Sequence, residues 1–171
     1  MYINKKIIKF LFFFFCFSIF SSISQTNEDV PLNNIAINEI PKPISSLIFE
    51  DFLGNEINLK HYHGRLVIIN FWATWCAPCK KEMPSLDNLY QDNNFKNLQI
   101  FAVNMEQPNA LKTKKFFTDL NIQKLEIFFD PNLNFVKEFK LRGMPTTILI
   151  NKKGEEFARI IGETNFQNKE F

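Results

Sequence analysis

Two cysteines carry the chemistry most readily read from this chain. Cys76 and Cys79 close the segment Phe71-Trp72-Ala73-Thr74-Trp75-Cys76-Ala77-Pro78-Cys79. An apolar run precedes this segment and a helix-periodic stretch follows it, so the pair falls on the first turn of a helix. Two cysteines three apart in that position can form a disulfide with little rearrangement. The start of a helix has unpaired N–H donors and a partial positive charge, and both favour a thiolate at Cys76. Cys79 lies a turn deeper and should keep its proton longer. The expected division of labour is attack by Cys76, a mixed disulfide, and resolution by Cys79. Pro78 stiffens the turn and withholds a donor from the sulfur.

Other uses of the pair compete with this reading. Structural zinc needs four ligands. His61 and His63, the only histidines, would share a face of a strand and could complete a Cys2His2 set. Their polar setting reads instead as a solvated turn, and the flanking tryptophans and Pro78 suit a redox turn better. A disulfide with no redox role is a second alternative. A peroxidatic cysteine is a third, but it calls for a threonine three residues earlier. Ala73 stands there, and Thr74 is one place off.

The elements that must hold the pair follow from periodicity. Residues 66–71 (Leu-Val-Ile-Ile-Asn-Phe) form a continuous apolar run, as expected of a strand buried on both faces. A helix is predicted over residues 76–90, with Met83, Leu86, Leu89 and Tyr90 recurring at threes and fours and Pro84 kinking it. Strands are predicted at residues 44–49, around Ile57 and Leu59, at 98–103, and at 127–129. Residues 146–150 and 156–161 form a hairpin across a turn at 151–154. Further helices are predicted at 110–120, capped by Asn109, and at 132–139. Strands alternating with helices imply an α/β fold, a mixed sheet flanked by helices on both faces.

The 171 residues allow one domain. With 46% hydrophobic and 22% charged residues the composition excludes a disordered chain, and a net charge of +2 gives no field for nucleic acid. Residues 1–24 stand apart. Lys5, Lys6 and Lys9 precede an apolar run from Phe10, and Ser21, Ser22 and Ser24 follow it. This describes a secretory signal peptide or, if uncleaved, an N-terminal membrane anchor, with the rest of the chain exported. The leader holds seven of the 21 phenylalanines, three of the 20 basic residues and one of the three cysteines. Cys16 follows three phenylalanines rather than a lipoprotein-type tripeptide and reads as a small hydrophobe. The exported part keeps one cysteine pair and 17 basic against 18 acidic residues. Residues 25–43, rich in Asn with three prolines, read as a linker with scattered isoleucines that could form a short pairing segment. Residues 44–171 form the domain.

From residue 44 to 162 the chain resembles the thioredoxin superfamily, and within it the exported TlpA/ResA-like thiol–disulfide oxidoreductases. The matches run in order: the D-x-x-G-x-x-x-x-L stretch from Asp51 to Leu59, Gly64, residues 71–79, Glu82-Met83-Pro84, Gly143-Met144-Pro145-Thr146-Thr147 and residues 151–154. The resemblance implies a thioredoxin-like three-layer sandwich with an extra N-terminal hairpin, and no cofactor or metal. Cys76 and Cys79 match the redox-active disulfide, and Pro145 matches the family's cis-proline beside it. Trp75, Pro78, Met144 and Pro145 are the implied substrate-binding residues, Met144 pairing its backbone with an extended substrate segment. Trp72 is expected to pack below the site.

Two departures shape the expectations. Classical thioredoxins have a buried aspartate six residues before the first cysteine, where this chain has Asn70, which cannot titrate. Glu82, one helical turn after Cys79, is therefore the candidate for tuning the thiols, with its pKa raised toward neutrality by burial. The closing helix of the family is short or missing here, since few residues follow Gly162. The resemblance further implies disulfide-containing protein substrates such as apocytochrome c or oxidase subunits, a membrane thiol reductase as electron donor, and a place in the bacterial periplasm or on the periplasmic face of the inner membrane. The alternative is a thioredoxin-like module that binds a metal or partner without turnover.

Overall fold

The run Leu66–Trp72 forms a strand with side chains buried on both faces. Its residues alternate, as a period of two requires. Ile68 and Trp72 join one hydrophobic cluster, and Val67, Ile69 and Phe71 join another. Asn70 shares the face of Ile68 and Trp72. That parity aims a polar side chain at the helix after the cysteines.

The structure, a computed structural model, describes residues 34–168. The leader and Cys16 lie outside them. The strands are β1 (Ile35–Pro43), β2 (Ile48–Asp51), β3 (Glu56–Asn58), β4 (Leu66–Trp72), β5 (Leu98–Asn104), β6 (Ile127–Phe129), β7 (Thr146–Ile150) and β8 (Glu155–Ile161). The helices are α1 (Ala77–Gln91), α2 (Ala110–Asp119) and α3 (Asn134–Phe139). One sheet of order β1-β8-β7-β4-β5-β6-β2-β3 contains all eight strands. β4, β5 and β6 run parallel, and the other pairings are antiparallel. The apolar residues of α1 and α2 (Met83, Leu86, Phe116, Phe117) cover one face, and Phe135 and Phe139 of α3 cover the other. This is the expected three-layer sandwich, with β2–β3 as the extra hairpin.

Residues 35–43, expected to be linker, are instead an edge strand. β1 pairs with β8 from Ile35↔Ile160 to Pro43↔Glu155, with a register shift between Ile37 and Lys42. Pro41 and Pro43 hid it in the sequence, but an edge strand tolerates proline because one row of its donors has no partner to lose. The strand predicted at 44–49 begins later, at Ile48, because Ser45 turns out to bind Glu138 through its N–H and hydroxyl. Leu59 belongs to a 3-10 turn (Leu59–Tyr62) rather than a strand, capped by Asn58, whose side chain accepts from Lys60 N–H. α3 starts at Asn134 rather than 132, since Asp130 accepts from the N–H groups of Asn134 and Phe135. Asn109 caps α2 as expected, accepting from Lys112 N–H.

Phenylalanines build the α3 side of the core. Phe101, fully buried, meets Phe49, Tyr62 and Phe128 edge-on, with ring centroids 4.9, 4.8 and 5.0 Å apart. Phe101→Ala leaves a cavity among rings that cannot collapse together, at an expected cost of about 3–5 kcal/mol. Urea denaturation of the two proteins measures it.

A buried aspartate sets where α1 lies. Asp87 accepts from the N–H groups of Gln123, Lys124 and Leu125 at 2.8–3.0 Å, tying the second half of the helix to the loop between α2 and β6. Pro84, inside α1, withholds the donor that the Lys80 carbonyl would otherwise accept.

Candidate active site

Cys76 is the N-cap of α1, and its sulfur is bonded to Cys79. The sulfur also does what a capping oxygen does elsewhere, accepting from Cys79 N–H at 3.3 Å. Ala77 and Pro78 open the helix, where a missing N–H leaves no gap in the ladder. Cys79 is fully buried, and Cys76 retains 4% of its surface. Of the two cysteines, Cys76 is the one that keeps any exposed surface.

The sheet brings the proline loop to the same end. Phe71 pairs with Thr146, so the chain before Thr146 enters the sheet where the chain after Trp72 leaves it. The Met144–Pro145 peptide is cis. Met144 is half-buried and Pro145 buried, while Trp75 stands 67% exposed at the rim. Trp72 is fully buried and stacks on Phe116 at 4.6 Å. The histidines are elsewhere. His61 and His63 precede β4, while the cysteines follow it, with roughly 20 Å of strand between. His63 lies against Gly154, where a Cβ would fall 2.3 Å from its Nε2.

Glu82, three residues after Cys79 on α1, is 2% exposed. Its Oε1 accepts from Asn70 Nδ2 at 2.7 Å, and its Oε2 from Thr164 N–H at 3.1 Å. Asn70 also donates to Thr147 Oγ1 at 2.9 Å, its cross-strand neighbour on β7. Burial drives the Glu82 pKa up to about 7, against the pull of the Asn70 and Thr164 donors and with help from the charge of Glu163. Asn70 thus stands at the aspartate's place as a donor to the carboxyl of Glu82, which faces it from the helix.

Thr164 belongs to a segment whose role was not apparent in the sequence. Among the described residues no helix follows β8. Residues 163–168 instead run along α1, with Phe166 buried in the core and its N–H donating to Ser85 Oγ at 3.1 Å. Their hydrogen bonds reach Lys81, Glu82, Ser85 and Asn88 of α1 in turn.

Glu106 was also missed. It follows β5, next to the loop after β4, and Met105 N–H donates to the Trp72 carbonyl at 2.9 Å to join the two. The Glu106 carboxylate accepts from Thr74 N–H at 2.6 Å and Thr74 Oγ1 at 3.1 Å, and it pairs with Lys112. Burial pushes its pKa up, but the hydrogen bonds from Lys112 and Thr74 outweigh that and hold it at about 2. The carboxylate therefore stabilises the fold fully above the ordinary carboxyl pKa of 4.5, and this contribution is lost as pH falls through about 2. Acid titration of wild type and Glu106→Gln should show the difference between the two stabilities shrinking over that window. The available signal was position: the carboxyl ends of parallel strands are where α/β sheets build sites.

Comparison with known proteins is consistent with this geometry. Residues 40–155 match the AhpC/TSA family. The chain is 33% identical over 125 residues to the thiol-disulfide oxidoreductase ResA of Bacillus cereus, covering 73% of this chain and 71% of the relative. The chain belongs to this family. The ResA of Halalkalibacterium halodurans is 37% identical over 110 residues, a match spanning 64% of this chain and 61% of that relative's length. Among solved structures, StoA from Bacillus subtilis superposes with a TM-score of 0.62 at 26% identity, over 74% of this chain and 95% of that one. A thiol:disulfide interchange protein of the thioredoxin family from Chlorobium tepidum gives 0.64 at 20% identity, over 77% and 92%. The chain is a ResA-like thiol–disulfide oxidoreductase, and Cys76–Cys79 is its CxxC disulfide. A peroxidatic reading gains nothing from the loop: Ala73 holds the position of the required threonine, and the hydroxyl of Thr74 is engaged by Glu106.

Proposed function

We propose that this ResA-like protein reduces disulfides of exported proteins, apocytochrome c and oxidase subunits being the substrate class that the family resemblance implies. In the reduced form the Cys76 thiolate attacks one substrate sulfur, forming the mixed disulfide and releasing the first substrate thiolate. Cys79 passes its proton to the Glu82 carboxylate and attacks Cys76 Sγ. The Cys76–Cys79 bond closes, and the second substrate thiolate leaves and takes up a proton. Two electrons have moved from protein to substrate, and a membrane thiol reductase returns them. Trp75, Pro78, Met144 and Pro145 frame the approach, with the Met144 backbone pairing with an extended substrate segment. Asn70 follows the proton. Its amide donates to ionised Glu82, and turned over it accepts from protonated Glu82 and from the Thr147 hydroxyl. The leader, residues 1–24, exports the domain and, if retained, holds it at the outer face of the membrane.

The observation that carries the reading is a CxxC disulfide at a helix start with a buried carboxyl of near-neutral pKa one turn further on. Insulin reduction with dithiothreitol as donor tests turnover, and equilibration with glutathione tests direction. Turnover together with a potential well below that of strong periplasmic oxidants, about −120 mV, is expected. A potential near that value would reverse the direction. Stoichiometric copper or zinc binding without turnover would replace the enzyme with a binding module.

A further inference from the structure

We infer that Glu106 is a positioning residue for the redox turn, holding Cys76 in disulfide-closing geometry and keeping the pair strongly reducing. The inference rests on the exchange reading above and concerns a residue outside the CxxC segment, the proline loop and Glu82.

All side-chain partners of the Glu106 carboxylate lie in the loop after β4, at the end of β5 or in the first turn of α2. Thr74, two residues before Cys76, gives it both N–H and hydroxyl. Asn104, fully buried at the end of β5, donates from Nδ2 at 3.4 Å and accepts Glu106 N–H on Oδ1 at 2.9 Å, fixing the backbone that carries the carboxylate. Lys112, in the first turn of α2, binds Oε1. One carboxylate therefore ties the redox turn to β5 and α2. The turn itself has little else to hold it on that side: Trp75 is exposed, and Cys76 N–H closes a tight turn onto the Ala73 carbonyl at 3.1 Å.

Two consequences follow, and both act on the reduction potential in the same sense. A held turn keeps Cys76 near Cys79, so their effective concentration is high and the disulfide is favoured. The Glu106 carboxylate, bound to Thr74 two residues before Cys76, brings a negative charge to the redox turn and opposes the thiolate, so the reduced form is less stable than the helix start alone would make it. Both make the dithiol a better reductant. Lys112 moderates the second effect by neutralising part of the charge.

The test is the equilibrium constant for disulfide formation against glutathione, measured for wild type, Glu106→Ala, Glu106→Gln and Lys112→Met, with melting curves recorded alongside. Glu106→Ala loses both clamp and charge, and the constant should fall about tenfold, a rise of about 30 mV. Glu106→Gln keeps an amide oxygen for Thr74 N–H and loses only the charge, so a fall of about threefold is expected. Lys112→Met leaves the carboxylate less compensated, and the constant should rise about twofold. A merely structural role would shift the melting temperature and leave the constants together. Constants within experimental error of wild type for the Glu106 variants overturn the inference, as does a Lys112→Met shift of the same sign as theirs. If Glu106→Ala does not fold, Glu106→Gln and Lys112→Met decide by their opposite signs. Failure of the wild type itself to exchange with glutathione would instead sink the oxidoreductase reading.

Discussion

Cys76→Ser should abolish insulin reduction, by on the order of 10³-fold or more, whereas Cys79→Ser should stall after a single step with substrate attached. The asymmetry follows from where the sulfurs sit. Cys79 is fully buried behind Cys76, so without Cys76 no sulfur of the pair meets the substrate. Residues 25–171 hold no third cysteine to substitute for it. In Cys79→Ser the outer thiolate survives at the helix N-terminus and attacks, but the mixed disulfide has no internal resolver. Non-reducing gels from cells expressing this variant should show adducts that dithiothreitol collapses, and mass spectrometry of those adducts names the substrates. Adducts of equal abundance from Cys76→Ser would show that the inner sulfur is the reactive one and reverse the assigned roles.

Glu82→Gln should remove the near-neutral step from the pH dependence of resolution and change how stability varies with pH. The sign follows from the direction of the shift. The folded protein holds the Glu82 proton up to about 7, against 4.5 for an ordinary glutamate. The stability this gives is fully present below 4.5 and is lost as pH rises through 7, a swing of about 3 kcal/mol. Wild type therefore loses stability across that window while Glu82→Gln does not, and the difference between them should move in the variant's favour by up to that amount. Asn70 and Thr164 still find partners on the amide at one or other atom, so the variant should fold. The same substitution takes away the acceptor for the Cys79 proton. Single-turnover resolution should slow by about 10–100-fold above neutrality and lose its inflection near pH 7. Denaturant melts from pH 4 to 9 and stopped-flow closure of the disulfide check the two halves independently. Parallel stability curves and an unchanged rate profile would return Glu82 to a purely structural role.

How legible the site was depended on how local each part is. The cysteine pair, its helix and the buried strand before it could be read because each is written in consecutive residues. Glu82 could be read because a helix fixes the spacing of residues three apart. Asn70 was noticed as a departure, and its helix-facing parity follows from the alternation of β4, but its contact with Thr147 depends on the register of a strand 77 residues away. β1 was legible only as scattered isoleucines that could pair, because its prolines and few apolar residues make no strand pattern of their own. It is a strand because β8 offers it an open edge.

By itself, then, the sequence determined the local chemistry of this protein: a thiol pair on a first helical turn, a carboxylate one turn later, and the strand and helix periods that build an α/β sheet. These depend on bonds and contacts within a few residues. Only the tertiary structure decided which distant groups complete the site. Residues 163–168 lie across α1, so that Thr164 supplies a donor to Glu82. β5 ends beside β4, so that Glu106 reaches Thr74. Such contacts form when strands pair and helices pack, and no sequence spacing records them.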